Sequence, residues 1–275
     1  MTIQTRIIDI INESGTIFKD KEVFTTEYLP EQYYFRDNQL RAMASHYVGI
    51  TEGVRPSNLL LKGTYATGKS STVKTFFNTI KTISKDILTV HINCVYYNTE
   101  FKIIHKIFET VYDTRIGLGS STHQLFDKII KKLRKDDKLL IICLDDYNSF
   151  SNNKELNTTL YNLLRATESY PGVRISLIAV TNKSDDFVRL DQNVNTVFHP
   201  VVIDFPSYHC DEIFSILRQR CVLGFHKGVI GDDVIGLVAD RSWDVGDLRF
   251  GIVKLRSMGE RAEFLHSDCV LSSHF

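Results

Sequence analysis

The sequence predicts an α/β fold with a mostly parallel sheet, helices on both of its faces and a small all-helical part after it; three observations lead there. Short apolar runs of strand length alternate with amphipathic stretches of helix length. A glycine-rich, phosphate-cradling motif falls between one such run and one such helix. After Pro206 the strand pattern stops.

Taken in order, residues 1–12 set Arg6 and Asp9 among isoleucines, which suits an amphipathic helix and not a secretory segment. Leu59-Leu60-Leu61 reads as a buried strand and 71–80 as the helix behind it. The runs 87–93, 139–144 and 174–180 are the other strands, and 101–111, 123–133 and 156–166 the helices between them. Phe205-Pro206-Ser207-Tyr208 breaks the alternation, and 210–223, 232–239 and 247–262 read as helices. The expected division is therefore 1–205, a nucleotide-binding base domain, and 206–275, a helical lid.

Composition narrows the function classes. The 275 residues are 43% hydrophobic, enough for a sizeable core. Thirty-three basic residues balance thirty-three acidic ones, so no global field draws the chain to nucleic acid or membrane, and DNA contact would need a local patch. The five cysteines lack C-x-x-C spacing and the nine histidines lack metal-ligand spacing, which points to reduced thiols and no protein-borne metal. No run approaches the ~18 apolar residues of a membrane span. A soluble, cytoplasmic protein is expected.

The chemistry starts at Gly63-Thr64-Tyr65-Ala66-Thr67-Gly68-Lys69-Ser70, which spells G-x-x-x-x-G-K-[ST]. Glycines let backbone amides approach a polyphosphate, Lys69 adds a point charge at its β and γ oxygens, and Ser70, next to Ser71, offers a hydroxyl to Mg²⁺. ATP with Mg²⁺ is the implied ligand. The bland alternative, a glycine-rich turn without chemistry, is disfavoured by the strand before and the helix after. A second motif is the apolar run ending in Asp145-Asp146. A strand that delivers an acid at its C-terminal end places Asp145 for Mg²⁺ and Asp146 for orienting water, although both are also good helix caps. Asn182 ends another strand, where it could hydrogen-bond a γ-phosphate or the attacking water, although alone it is more often a turn residue, and Arg249 opens a lid helix in Gly246-Asp247-Leu248-Arg249, where it could fold onto the phosphates. The basic stretch 128–134 alternates with Leu125, Phe126, Ile129, Ile130 and Leu133, the pattern of an amphipathic helix with a wet cationic face.

These four elements in this order resemble the AAA+ ATPases, and the flanking text resembles archaeal initiators similar to the origin recognition complex and its cell-division-cycle loader. The resemblance covers residues 15–262 and rests on Phe18-Lys19-Asp20-Lys21-Glu22-Val23-Phe24, Tyr28-Leu29-Pro30-Glu31, Arg36-Asp37-Asn38-Gln39-Leu40, Ile92-Asn93-Cys94, Gly117-Leu118-Gly119-Ser120-Ser121, Leu190-Asp191 and Phe205-Pro206-Ser207-Tyr208. It implies an AAA+ P-loop fold with a helical lid. It also implies that residues 28–39 wrap the adenine, with Tyr28 and Pro30 at the base pocket and Arg36 near the nucleotide. Asp145 becomes the magnesium carboxylate, Asn182 the first sensor and Arg249 the second. The helical insert around 95–119, with Lys102, Lys106 and Arg115, becomes the element that touches origin DNA. Partners implied are ATP or ADP, double-stranded origin DNA with modest affinity, other initiator subunits and the replicative helicase.

Three departures shape the expected activity. Asp146 stands where the family carries glutamate, one methylene longer; a misplacement of about 1 Å costs on the order of a hundredfold in rate, so ATP hydrolysis should be slow. Asn193 and Val197 stand where arginines are common, and an arginine supplied to a neighbour's γ-phosphate is worth roughly 10³ to 10⁵ in turnover. Arg189 is near enough in sequence to substitute. Only 26 residues follow Arg249, too few for the winged-helix domain common in the family. The competing reading is a nucleotide-locked interaction module without hydrolysis or origin binding. A small-molecule kinase is a third, disfavoured by the helical C-terminal part.

Overall fold

All seven residues of Leu139–Asp145 are buried, which a strand achieves only when both sheet faces are covered. In the computed structural model this strand, β3, is flanked by others of the same kind. The structure describes residues 17–30, 35–114, 119–150, 152–182 and 190–275. The helix expected over 1–12, and Glu31, Arg115, Gly117, Leu118 and Arg189, lie outside the described residues.

The strands are β1 (Leu59–Lys62), β2 (Ile87–Asn93), β3, β4 (Arg174–Thr181) and β5 (Val201–Asp204). They form one sheet in the order β2-β3-β4-β1-β5, and every pairing is parallel. Successive side chains divide between two cores, as a period of two demands. Leu60, Leu140, Ile142, Leu144, Ile175 and Leu177 point into one; Leu59, Leu61, Leu139, Ile141, Cys143, Ile178 and Val180 point into the other.

Helices cover both faces. The first core is closed by α3 (Glu100–Tyr112), α4 (Thr122–Lys135), α5 (Asn153–Ser169) and α6 (Gln192–Phe198), the second by α1 (Asp37–Ser45) and α2 (Lys69–Ile83). The stretch 95–119, read as an insert from the sequence, contains α3, whose Ile103, Ile104, Ile107, Phe108 and Val111 are built into the first core. In α4 the buried residues are Leu125, Ile129, Ile130 and Leu133, and a capping box between Ser121 and Gln124 starts the helix. Its lysines remain on the wet side, as the spacing predicts.

The packing divides the chain into two compact units with the break between Pro206 and Ser207; Phe35–Pro206 is the sheet unit. The other is helical: α7 (Cys210–Gly224), α8 (Asp232–Val245) and α9 (Leu248–Phe264) bury Leu217, Cys221, Val238, Leu255 and Met258 together. Residues 17–30 group with these helices, whereas the sequence pattern alone assigns them to the sheet domain. The reason is a ring cluster. Phe18 and Phe24 lie 5.0 and 4.6 Å from Phe225, centroid to centroid, and fill notches left by glycines. A Cβ on Gly224 would stand 2.2 Å from Phe24, and one on Gly259 2.4 Å from Phe18. Among the described residues no helix is long and apolar enough to cross a membrane.

Candidate nucleotide-binding site

The loop that joins β1 to α2 is shaped by contacts its sequence dictates. Gly63 has no room for a side chain: a Cβ there would lie 2.2 Å from the carbonyl oxygen of Phe205, just past β5. Ala66 and Gly68 both take left-handed backbone, at φ 56° and 82°, a turn in which successive amides can face one anion. Thr67 is buried, and its hydroxyl donates to the Thr64 carbonyl at 3.0 Å. Lys69, only 6% exposed, folds over the loop and donates from Nζ to the carbonyls of Gly63 (2.8 Å) and Thr64 (2.5 Å). Thr64 and Tyr65 face solvent, and Ser70 and Ser71 open α2 half-buried.

Arg36 braces this loop from α1's N-terminal end. Its side chain is fully buried; Nε donates to the Thr67 carbonyl at 2.9 Å and Nη2 to the Pro206 carbonyl at 2.7 Å. A guanidinium's fixed fork suits two carbonyls set apart in this way. The residue expected near the nucleotide thus holds the phosphate loop against the chain leaving β5.

Asp145 ends β3 with its side chain buried, facing α2. Burial alone would push its carboxyl up, but contacts with His91, the Ser70 hydroxyl and the charge of Lys74 outweigh it and hold the pKa below the usual value. His91 Nε2 lies 3.1 Å from Oδ2. The other oxygen, Oδ1, is buried and accepts no hydrogen bond. An orphaned carboxylate oxygen beside a serine hydroxyl is a hard-oxygen donor set, and it fits a magnesium ion.

The tips of β3 and β4 are tied by a chain of polar contacts. Asn182 Nδ2 donates to Asp146 Oδ1 at 3.3 Å, Asn148 Nδ2 to Asn182 Oδ1 at 3.3 Å, and the Thr181 hydroxyl to Asn148 Oδ1 at 3.4 Å. Asp146 adopts left-handed backbone, φ 52°, which aspartate tolerates better than most residues.

The sheet unit therefore brings together Gly63 to Ser71, Arg36 and Asp145, and it joins Asp146 to Asn182. Tyr28, Pro30 and Arg249 belong to the helical unit. There Tyr28 is held by Arg220, whose guanidinium lies 4.6 Å from the ring centroid, and Arg249 is exposed in the first turn of α9. Sequence reasoning missed His91 and Asn148. His91 pairs with Cys143 in the β2–β3 register and so is a diagonal neighbour of Asp145 on the same face; only that register reveals it.

Comparison with known proteins bears on the family and the fold. Residues 214–275 match the profile of the Cdc6 AAA+ ATPase-type lid domain. An ORC1-type DNA replication protein 2 from Methanothermobacter thermautotrophicus is 34% identical over 269 residues, covering 98% of this chain and 71% of the relative. This chain belongs to the ORC1-type DNA replication protein family. A second family member, from Methanosarcina acetivorans, is 38% identical and covers 93% of this chain and 69% of its own. The fold is that of the AAA+ family. The Aeropyrum pernix ORC1 protein, solved in complex with DNA, superposes with a TM-score of 0.85 at 25% identity, covering 95% of this chain and 69% of that one. Aeropyrum pernix ORC2, solved as ADPNP–ADP complexes, gives 0.82 at 22% identity over 94% of this chain and 71% of that one.

Proposed function

We propose that the protein binds ATP and Mg²⁺ between the loop 63–70 and the end of β3, and that the bound nucleotide controls its association with origin DNA or replication partners. The observation that carries the reading is the buried Oδ1 of Asp145, which accepts no hydrogen bond, on a carboxylate whose pKa the Ser70 hydroxyl helps to lower. Lys69 leaves its carbonyl partners to meet the β and γ oxygens, amides of the loop receive the phosphate chain, and Ser70 with Asp145 hold the metal. A magnesium ion there would neutralise charge that builds on the phosphate oxygens. Asp146 and Asn182 are assigned to the attacking water, Arg249 to sensing the γ-phosphate, and Tyr28 and Pro30 to the base. ADP is the product.

The nucleotide complexes of Aeropyrum pernix ORC2 and the DNA complex of Aeropyrum pernix ORC1 support the choice of ligands. With thirty-three charges of each sign, DNA affinity is expected to be modest and to fall steeply with salt. Other initiator subunits and the replicative helicase are the proposed protein partners. The deciding experiment compares wild type with Lys69→Ala in binding a fluorescent ATP analogue, then in gel shifts on cognate chromosomal DNA with and without ATP at two salt concentrations. Unchanged ATP affinity in K69A removes the basis of the reading.

One observation favours a second reading, a nucleotide-locked module. Asp146 is short and engaged by Asn182, so its reach toward a water is limited. Robust steady-state turnover rules the locked state out.

A further inference from the structure

His91 is a side chain that the catalytic assignments leave unused. It sits on β2, 20% exposed, with its Nε2 atom buried. That nitrogen is 3.1 Å from Asp145 Oδ2, an ion-pair distance, but the ring N–H is not aligned for a hydrogen bond to it or to any other group. The two oxygens of Asp145 are thus unequal, one in contact with His91 and the other buried without a donor. A carboxylate at the end of a strand is free to rotate about its last torsion, and burial raises the cost of each wrong orientation. Groups that contact a ligating carboxylate from outside the metal's own ligands fix which oxygen it presents.

We propose that His91 is a positioning residue for Asp145: the imidazole, protonated on Nε2, anchors Oδ2 and thereby leaves Oδ1 as the oxygen that meets a divalent cation. The inference rests on the nucleotide-and-metal reading above. It requires that an N–H at Nε2 turn onto Oδ2 across the 3.1 Å that separates them, not that the ring be charged. Lys74, one turn after Ser70 on α2, adds charge near the carboxylate but as a flexible ammonium does not select one oxygen. A histidine that merely fills the sheet face would leave the metal indifferent to its replacement by an apolar ring.

The test uses the full chain with ADP bound. Manganese affinity is measured by electron paramagnetic resonance, and affinity for a fluorescent ATP analogue is measured separately in EDTA. His91→Phe keeps the ring's bulk and removes the donor; His91→Gln keeps an N–H of similar reach; His91→Asn keeps polarity but falls short of Oδ2. H91F and H91N should each weaken manganese binding about tenfold, within the range seen for lost outer partners of metal ligands. H91Q should stay within about threefold of wild type, and all three should bind the analogue in EDTA like wild type. Manganese affinity unchanged in H91F, or reduced equally in H91F and H91Q, overturns the proposal. If H91F does not fold, the Gln and Asn pair decides by the same criterion. Wild type that fails to bind the analogue in magnesium, with Lys69→Ala no different, overturns instead the reading on which the proposal rests.

Discussion

Replacing Gly63 by alanine separates two reasons for the first glycine of the phosphate loop. The common account is close approach to phosphate. In this protein the Cβ direction is already blocked without any ligand, because it leads to the Phe205 carbonyl oxygen at 2.2 Å. Ordinary carbon–oxygen contact needs about 1 Å more, and the obstacle is backbone held by the Phe205 N–H, which donates to the Lys62 carbonyl at 2.7 Å. Relief requires β1 and the end of β5 to part. Overpacking costs about 1–3 kcal/mol, and the loss of a buried backbone hydrogen bond adds about 1–3, so G63A should lose roughly 2–6 kcal/mol. For a chain of this size each kcal/mol shifts Tm by about 2–4 °C, which places the expected fall at roughly 4–24 °C. The assay is thermal unfolding followed by circular dichroism without nucleotide, with urea unfolding as the check on magnitude. G63A melting within about 1 °C of wild type, while losing nucleotide affinity, would refute the packing argument.

Two further outcomes follow from the same geometry. Asp146→Glu restores the missing methylene, and steady-state ATP turnover should rise at least about tenfold; measurement of phosphate release with ATP binding intact and no rise would count against the water-orienting role. Burial, helped by Asp232, pushes the Cys221 thiol up to about 12, while the unfolded thiol titrates near 9. Between these values the unfolded chain releases a proton that the folded one keeps, so stability is present below pH 9 and is lost as pH rises. At pH 10 the loss from this group is about 1.4 kcal/mol, and urea unfolding of Cys221→Ala should show a correspondingly shallower decline from pH 8 to 10. Equal declines in the two proteins would remove the assignment.

How much could be read from the chain depended on how local each signal is. Strands β1 to β4 were legible because each is a run of apolar residues bounded by polar ones, and the phosphate loop because its demands lie within eight consecutive positions. β5 was not: Val201–Asp204 is four residues long and abuts the Phe205-Pro206 break, so it carries too little pattern. α1 was missed because Met43 alone is buried in it, which leaves no periodic stripe, and α6 because seven residues span only two turns. Asp145 was found as the end of an apolar run, whereas His91 needed the register between two strands separated by more than forty residues of sequence. The docking of Phe18 and Phe24 likewise depends on glycine notches about two hundred residues further on, and no window along the sequence joins them.

That aromatic docking makes the helical part of the protein out of both ends of what the structure describes, with the sheet unit inserted between them. Phe18 and Phe24 leave the ribosome about two hundred residues before their partners on α7 and α9. The sheet can fold while synthesis continues, but the helical unit must wait for the final turns of α9. By the same logic, a fragment cut at Ser207 would expose the pockets at Gly224 and Gly259 together with the ring of Phe225, an oily surface that Phe18 and Phe24 otherwise cover.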